Sequence, residues 1–360
     1  MMNRVVIAGG GTGGHLFPGI AIAEEFTRRR EGWEICFIGT GRGLEQRILP
    51  RWGFALKTIP AAPFKGRSWW GKAASISTLV LGVGWSITLL RRLSPRLVIG
   101  LGGYSAGAVV LAAYLLGIKR AIQEQNVRPG FTNRMASRFA QRVFLSWPEG
   151  AGFFPSPKVR VTGNPLRQAV LKGRGKNREH KGFTLLILGG SQGATAINRA
   201  MVEAAPLLKE IKDLRIIHQT GAADYPWVRE GYAKAGLAAT VHQFIEEMAP
   251  CYREAHLAVC RAGAATITEI CAWGRAAILI PYPFAADDHQ RTNAELLKRQ
   301  GAGRMIPNQE LSSRRLADEI LLLYRDQQAL RAMERQASAL GRPNAAAAIV
   351  DECYRLVGLR

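Results

Sequence analysis

Two stretches of this chain, "RVVIAGGGTGGH" (4–15) and "FTLLILGGSQGA" (183–194), run a short apolar strand straight into a cluster of glycines. Strands that read as unbroken apolar runs are covered on both faces, the mark of a parallel sheet with helices above and below. The rhythm continues after each opening. "WEICFIG", "RLVIGLGG", "RAIQEQ" and "RVFLSW" follow the first, with helices predicted over Gly19–Arg30, Arg42–Trp52, Ala106–Gly117 and Phe131–Phe139. "LRIIHQTG", "ATVHQFIEE", "AHLAVC" and "AAILIPYPF" follow the second, whose first helix is predicted from Ile197. The expected class is α/β, with two Rossmann-like, doubly wound parallel-sheet domains. A basic stretch, "LKGRGKNREHKG" (171–182), reads as a connector or surface loop, and the expected domains are 1–165 and 166–342. "RPNAAAAIVDECYRLV" has apolar residues at helical spacing behind Pro343; a closing helix over about 343–360 is expected to pack back on the first domain. Ligands of such sheets lie at the carboxyl ends of the strands, so two facing domains would leave a cleft between them.

The chain's 360 residues suit two domains of ~150 each. Five scattered cysteines with no C-x-x-C point to reduced thiols in a cytosolic protein rather than to disulfides or zinc. The first strand starts almost at once, so no secretory leader is expected. Charge is uneven. Residues 1–165 hold 22 Lys and Arg against 7 Asp and Glu, and no acidic residue falls between Glu45 and Glu124, where eleven basic ones do. Such a one-sided field implies an anionic partner, such as phospholipid headgroups or a phosphorylated substrate. Nucleic acid is not expected, because no helix-turn-helix, RRM, KH or zinc pattern accompanies the charge. The uncharged stretch 73–90 is too rich in Ser, Thr and Gly for a membrane span, and 97–118 reads as a buried strand, a glycine loop and a helix.

Gly9-x-Gly11-x-x-Gly14 matches the dinucleotide fingerprint, but that reading needs an acidic residue at the end of the second strand, where Gly39-Thr40-Gly41 stands. An NAD-dependent oxidoreductase is therefore the weaker reading. What remains is a backbone cradle for an oxyanion at a helix N-terminus. His15 behind it is near the positive end of the helix, which favours a neutral ring able to accept a proton. "LGGYSAG", with Gly102, Gly103, Tyr104 and Ser105, makes a second such turn in the same domain. In "GGSQGA", Ser191 reads either as a helix cap or as a phosphate contact. Thr266 and Glu269 fit a capping box, while Glu269 equally suits two vicinal ribose hydroxyls. Asp288 reads as a helix cap, and Gln290 and Asn293 fall three apart on one helix face, where both could address a sugar. Asp287-Asp288 lacks D-x-D spacing, so no metal site is expected.

Eight stretches in order, "GGGTGGHLFPGIAIAEEF", "GLGGYSAG", "EQNVRPGFTNR", "TGNPLR", "GGSQGA", "QFIEEM", "CRAGAATITEI" and "DDHQRTNA", resemble the MurG family of bacterial UDP-N-acetylglucosamine transferases over the whole chain. The resemblance implies a GT-B fold and inverting transfer of GlcNAc from UDP-GlcNAc to the 4-hydroxyl of N-acetylmuramic acid in undecaprenyl-diphosphate-linked lipid I. The product is lipid II, with a β-1,4 link, for peptidoglycan synthesis. It also implies no cofactor, no divalent cation and a peripheral place on the cytoplasmic face of an anionic membrane. A related lipid glycosyltransferase with another UDP-sugar or glycolipid acceptor is the alternative. By resemblance, Thr12, Gly13 and Gly14 would lie near the donor diphosphate or sugar, and Asn126, Arg167 and Ser191 on donor groups. The Ile245 backbone would meet uracil. Ala264, Ala265, Thr266 and Glu269 would surround the diphosphate and ribose, with Gln290 on the sugar. Gly102–Ser105 would form the acceptor loop. His15 is the first candidate for the catalytic base and Glu124 the second. The chain departs from the family in having Gln123 where His is usual, and "GGYSAGA" where "GGYVSGP" is typical. Residues 63–93 mix Trp69, Trp70, Leu79, Val80, Leu81 and Trp85 with Lys65, Arg67, Lys72, Arg91 and Arg92, a composition suited to an interfacial anchor.

Overall fold

The computed structural model describes residues 3–10, 13–29, 32–41, 44–61 and 69–359, with backbone alone over 69–76. The chain divides into two compact units, Met1–Arg167 with Pro343–Arg360, and Gln168–Arg342. The first holds a seven-stranded sheet of β1 (Asn3–Ala8), β2 (Trp33–Gly39), β3 (Ala55–Thr58), β4 (Leu97–Gly100), β5 (Lys119–Glu124), β6 (Arg142–Leu145) and β7 (Val159–Val161). Its order is β3-β2-β1-β4-β5-β6-β7 and every pairing is parallel. The second holds β8 (Thr184–Leu188), β9 (Arg215–Gln219), β10 (Ala239–His242), β11 (Leu257–Cys260), β12 (Ala276–Leu279) and β13 (Arg304–Met305), again all parallel, in the order β10-β9-β8-β11-β12-β13. In each sheet the opening strand lies next to the point where strand order reverses, which is where such sheets present their ligand sites.

Local chemistry moved several expected boundaries. The first helix, α1 (Gly13–Arg29), begins at the glycines and carries Pro18 inside it, so His15 sits in its first turn. A proline in the second turn removes only one backbone hydrogen bond. The helix expected over Arg42–Trp52 is two pieces. α2 (Leu44–Ile48) passes into a 3₁₀ turn, Leu49–Trp52, that contains Pro50 and is closed by left-handed Gly53. β3 was not foreseen, because an exposed edge strand with Lys57 need bury little and shows no apolar run. α3 (Trp69–Leu93) covers the long uncharged stretch, and 97–118 folds as β4, a glycine loop and α4 (Tyr104–Leu115). Among the described residues no helix is long and apolar enough to cross a membrane.

The closing helix Ala345–Leu356 buries Ile349, Val350, Cys353 and Tyr354 in the first unit's core beside Phe26 and Trp33. The Trp33 and Tyr354 rings stack at 5.8 Å. In the second unit, β9 carries the fully buried His218. Asn198 Nδ2 donates to the Thr220 carbonyl and to Asp224, so its Oδ1 faces His218 Nε2 at 3.0 Å and must accept from it. Nδ1 then accepts from the Tyr232 hydroxyl at 2.9 Å.

Burial pushes His218 down to about 3. The unfolded chain would protonate it near the ordinary ~6.5, so stability is lost as pH falls below that value, by about 1.4 kcal/mol per unit until the folded value is reached. Thermal unfolding from pH 7 to pH 4 should show this slope, and His218→Gln, which keeps a donor and an acceptor without titrating, should reduce it to the share of His256, which burial pushes down to about 4. An equal slope in the variant would assign the acid sensitivity elsewhere.

Candidate active site

In the first unit the residues expected to act gather at the carboxyl ends of β1, β4 and β5. Gly13 and Gly14 open α1; Thr12 lies outside the described residues. Gly102 (φ +98°) and Gly103 lead from β4 into α4, where Tyr104 is half-exposed and Ser105 is buried. A Cβ on Gly102 would lie 3.0 Å from His15 Nε2 and 3.3 Å from Asn133 Nδ2, so the imidazole and the amide converge on this glycine. Only a residue without a side chain leaves them that space.

Glu124, the last residue of β5, is 1% exposed and fully engaged. Oε1 accepts from Asn126 N (2.9 Å) and Asn126 Nδ2 (3.3 Å); Oε2 accepts from Gly130 N (3.1 Å) and Asn133 Nδ2 (2.9 Å). Burial holds its carboxyl above the usual range, and these bonds pull it part of the way back. The carboxylate thus ties the 124–133 loop to itself. Gln123 is buried and donates to Ser146 Oγ and Asn164 Oδ1. The Arg167 guanidinium packs 4.4 Å from the Phe17 ring centre and 5.7 Å from that of Trp52.

In the second unit the turns after β8 and β9 interlock. A Cβ on Gly193 (φ +80°) would overlap the Thr220 carbonyl oxygen, and one on Gly221 would overlap that of Gln192. Ser191 is exposed in this turn, and the cap of the following helix, Thr195–Ala204, is Ala194. The reading of Ser191 as a helix cap is thereby corrected. Gln219 bridges the turn to the next loop: Nε2 donates to the Gly190 carbonyl and Oε1 accepts from Ile245 N, both at 2.8 Å.

The helix Ala264–Trp273 is capped by Gly263, which places Thr266 inside it, so the expected capping box does not form. Ala264 is buried, and Ala265, Thr266 and Glu269 are half-buried. Glu269 Oε2 accepts a 2.7 Å hydrogen bond from Tyr252. Asp288 occupies the N-cap position of His289–Arg299 in a left-handed conformation, with no side-chain cap bond. Gln290 Oε1 accepts from Tyr282 N at 3.0 Å. Asn293, expected beside it on the sugar, is instead fully buried and donates to the Ala262 carbonyl. Its amide stitches the helix to the turn after β11, giving a buried carbonyl a donor. Arg261 donates to the carbonyls of Ile280 and Pro281 and to Asn308, and so sets the loop that carries Tyr282 and the 81%-exposed Phe284.

Residues 5–145 match the glycosyltransferase family 28 N-terminal domain, and residues 184–349 its C-terminal domain. Over 361 residues the chain is 46% identical to a protein of Syntrophus aciditrophicus, covering 100% of both. Over 354 residues it is 48% identical to one of Geobacter metallireducens, covering 97% of both. Both are named UDP-N-acetylglucosamine–N-acetylmuramyl-(pentapeptide) pyrophosphoryl-undecaprenol N-acetylglucosamine transferase. The crystal structure of Acinetobacter baumannii MurG superposes with a TM-score of 0.79 at 32% identity, over 98% of this chain and 99% of that one. The chain belongs to the MurG family of glycosyltransferases. Its two parallel sheets are the GT-B fold of that family.

Three residues of this MurG-family chain escaped the sequence reading. No acidic residue stands at the end of β2, yet Glu45 of α2 returns a fully buried carboxylate to that place. It accepts from Thr40 N and Oγ1 and from Gly41 N, at 2.8–3.0 Å. A Cβ on Gly10 would overlap this carboxylate. Asn133 and Tyr252 had no signal beyond polarity, since each acts through a carboxylate on another element, 9 and 17 residues away. Among the described residues no group of three His, Cys, Asp or Glu could hold a metal ion.

Proposed function

We propose that this chain transfers N-acetylglucosamine from UDP-GlcNAc to the 4-hydroxyl of N-acetylmuramic acid in lipid I, forming lipid II. The single observation that carries the reading is full-length identity to transferases of that name, on a chain whose glycine turns end the central strands of both sheets. Transfer with inversion is one in-line displacement at the sugar's C1: the acceptor oxygen attacks, the bond to UDP breaks, and the hydroxyl proton must leave. His15, half-buried in the first turn of α1 with its ring against Gly102, takes that proton, and the two oxygens of Glu124 hold the loop from Asn126 to Asn133. The departing diphosphate is stabilised by helix N-termini behind the turns at 189–193 and 263, with Ser191 adding a donor. Glu269 accepts from the ribose hydroxyls. Ile245 reads the base through its carbonyl, its N–H being committed to Gln219. Gln290 addresses the sugar through Nε2. The purified chain should form a β-1,4-linked disaccharide lipid from UDP-GlcNAc and a lipid I analogue. Equal use of UDP-galactose, or transfer to diacylglycerol instead, would replace this reading with that of a related lipid glycosyltransferase.

The acceptor's polyprenyl chain places the enzyme at the cytoplasmic face of the membrane, held peripherally. α3 supports this: Leu79, Val80, Leu81 and Trp85 are exposed, and Arg91 and Arg92 near its end are exposed too. Exposed apolar side chains beside cations suit an anionic lipid surface. Co-sedimentation with anionic vesicles should fall several-fold in Val80→Ser/Leu81→Ser/Trp85→Ala and with added salt. Binding indifferent to both would remove α3 from the membrane contact.

A further inference from the structure

We infer that Tyr252 is a positioning residue for the donor's ribose, holding the Glu269 carboxylate in the one orientation that meets two vicinal hydroxyls. The inference rests on the proposed role of Glu269. Tyr252 lies in the helix Met248–Glu254, is fully buried, and donates its hydroxyl to Glu269 Oε2 at 2.7 Å. Its ring stacks on Trp273, which belongs to the same helix as Glu269. Its backbone carbonyl accepts from Arg275 Nε at 2.7 Å, fixing the segment from behind. Burial and the adjacent carboxylate drive the phenol far above its ordinary pKa, so it stays a donor throughout the working range.

A glutamate on a helix surface ordinarily samples several rotamers, and freezing them on binding costs affinity. Vicinal hydroxyls a fixed distance apart need both carboxylate oxygens turned toward them at once. The phenol, by holding Oε2, restrains that turn in advance and uses only one of this oxygen's lone pairs. Tyr252 therefore touches no substrate and acts through Glu269 alone.

The test compares binding of UDP and 2′-deoxy-UDP to the full chain by calorimetry, for the wild type, Tyr252→Phe, Glu269→Gln and the double variant, with thermal unfolding of each as a check on folding. Tyr252→Phe should weaken UDP about 5- to 20-fold and 2′-deoxy-UDP by less than about twofold. In turnover it should raise KM for UDP-GlcNAc by a similar factor, with kcat within about twofold. In the double variant the phenylalanine should cost nothing beyond Glu269→Gln. If Glu269→Gln weakens both nucleotides equally, the ribose role of Glu269 is wrong. If Glu269→Gln is selective for the ribose while Tyr252→Phe weakens both nucleotides equally, or neither, Tyr252 is only a packing residue. Additive losses in the double variant overturn the inference independently of the single variant's stability.

Discussion

Replacing His15 with alanine lowers kcat for sugar transfer by about 10²- to 10⁴-fold, the range expected on removing a general base, and leaves KM for UDP-GlcNAc within about threefold. The expectation follows from what each candidate base is doing. Glu124 accepts four hydrogen bonds and is 1% exposed, so a substrate hydroxyl reaching it would have to displace the loop it holds. His15 occupies the first turn of α1, half-buried, with its ring against Gly102. Gly102→Ala should reproduce much of the kcat loss while leaving the imidazole in the chain, because the new methyl would press on it 3.0 Å from Nε2, in a backbone conformation that alanine resists. Glu124→Gln keeps the size of the side chain but turns one acceptor into a donor facing other donors. It should therefore lower the melting temperature as well as activity. Steady-state kinetics at saturating acceptor, with thermal unfolding of each variant, checks the set. A His15→Ala enzyme retaining a third of wild-type kcat would move the base elsewhere.

Gly193→Ala should destabilise the second unit by about 3 kcal/mol, strain and overpacking together, and abolish the thermal stabilisation expected from UDP. Two costs coincide at this residue. At φ +80° an alanine pays strain of about 1–2 kcal/mol. Its methyl would also overlap the Thr220 carbonyl oxygen, and that segment cannot retreat freely. Thr220 N is held by the His242 carbonyl and Gly221 N by that of Gln243, while the Thr220 carbonyl itself accepts from Asn198. Relief therefore means moving the turn that carries Ser191, the segment from which nucleotide contact is proposed. Gly236→Ala is the control. It has a similar φ of +68° but nothing within 4 Å of a new Cβ, so it should show strain alone, leaving the UDP response intact. Equal behaviour of the two variants would show that the close approach of backbones carries no weight.

The strands and glycine turns were legible because their demands are local. A strand buried on both faces has to be apolar, as β4 and β11 are throughout and β1 and β8 are over Val5–Ala8 and Leu185–Leu188, and a turn with positive φ asks for glycine at one position whatever surrounds it. Edges were less legible. β3 escaped notice because it buries almost nothing, and the start of α1 was masked by Pro18. At the site, residue type was readable but its use was not. Asn293 and Gln290 share a helix face by spacing, yet one is swallowed by packing on Ala262 and the other reaches Tyr282. Thr266 and Glu269 have the spacing of a capping box, but Gly263 takes the cap position and frees Glu269 for Tyr252.

The order of apolar runs and glycines was thus enough, unaided, for two parallel sheets, their turns and the kinship of the chain, because each of these obeys the covalent neighbourhood of a few residues. Only the packed structure decided the partners of the carboxylates: Glu45 beneath Gly10, Glu124 within its own loop, Glu269 under the Tyr252 phenol. A buried or half-buried carboxylate is stable only where donors surround it, and the fold decides whether donors near in the chain, as for Glu45 and Glu124, or on a separate helix, as for Glu269, close upon it.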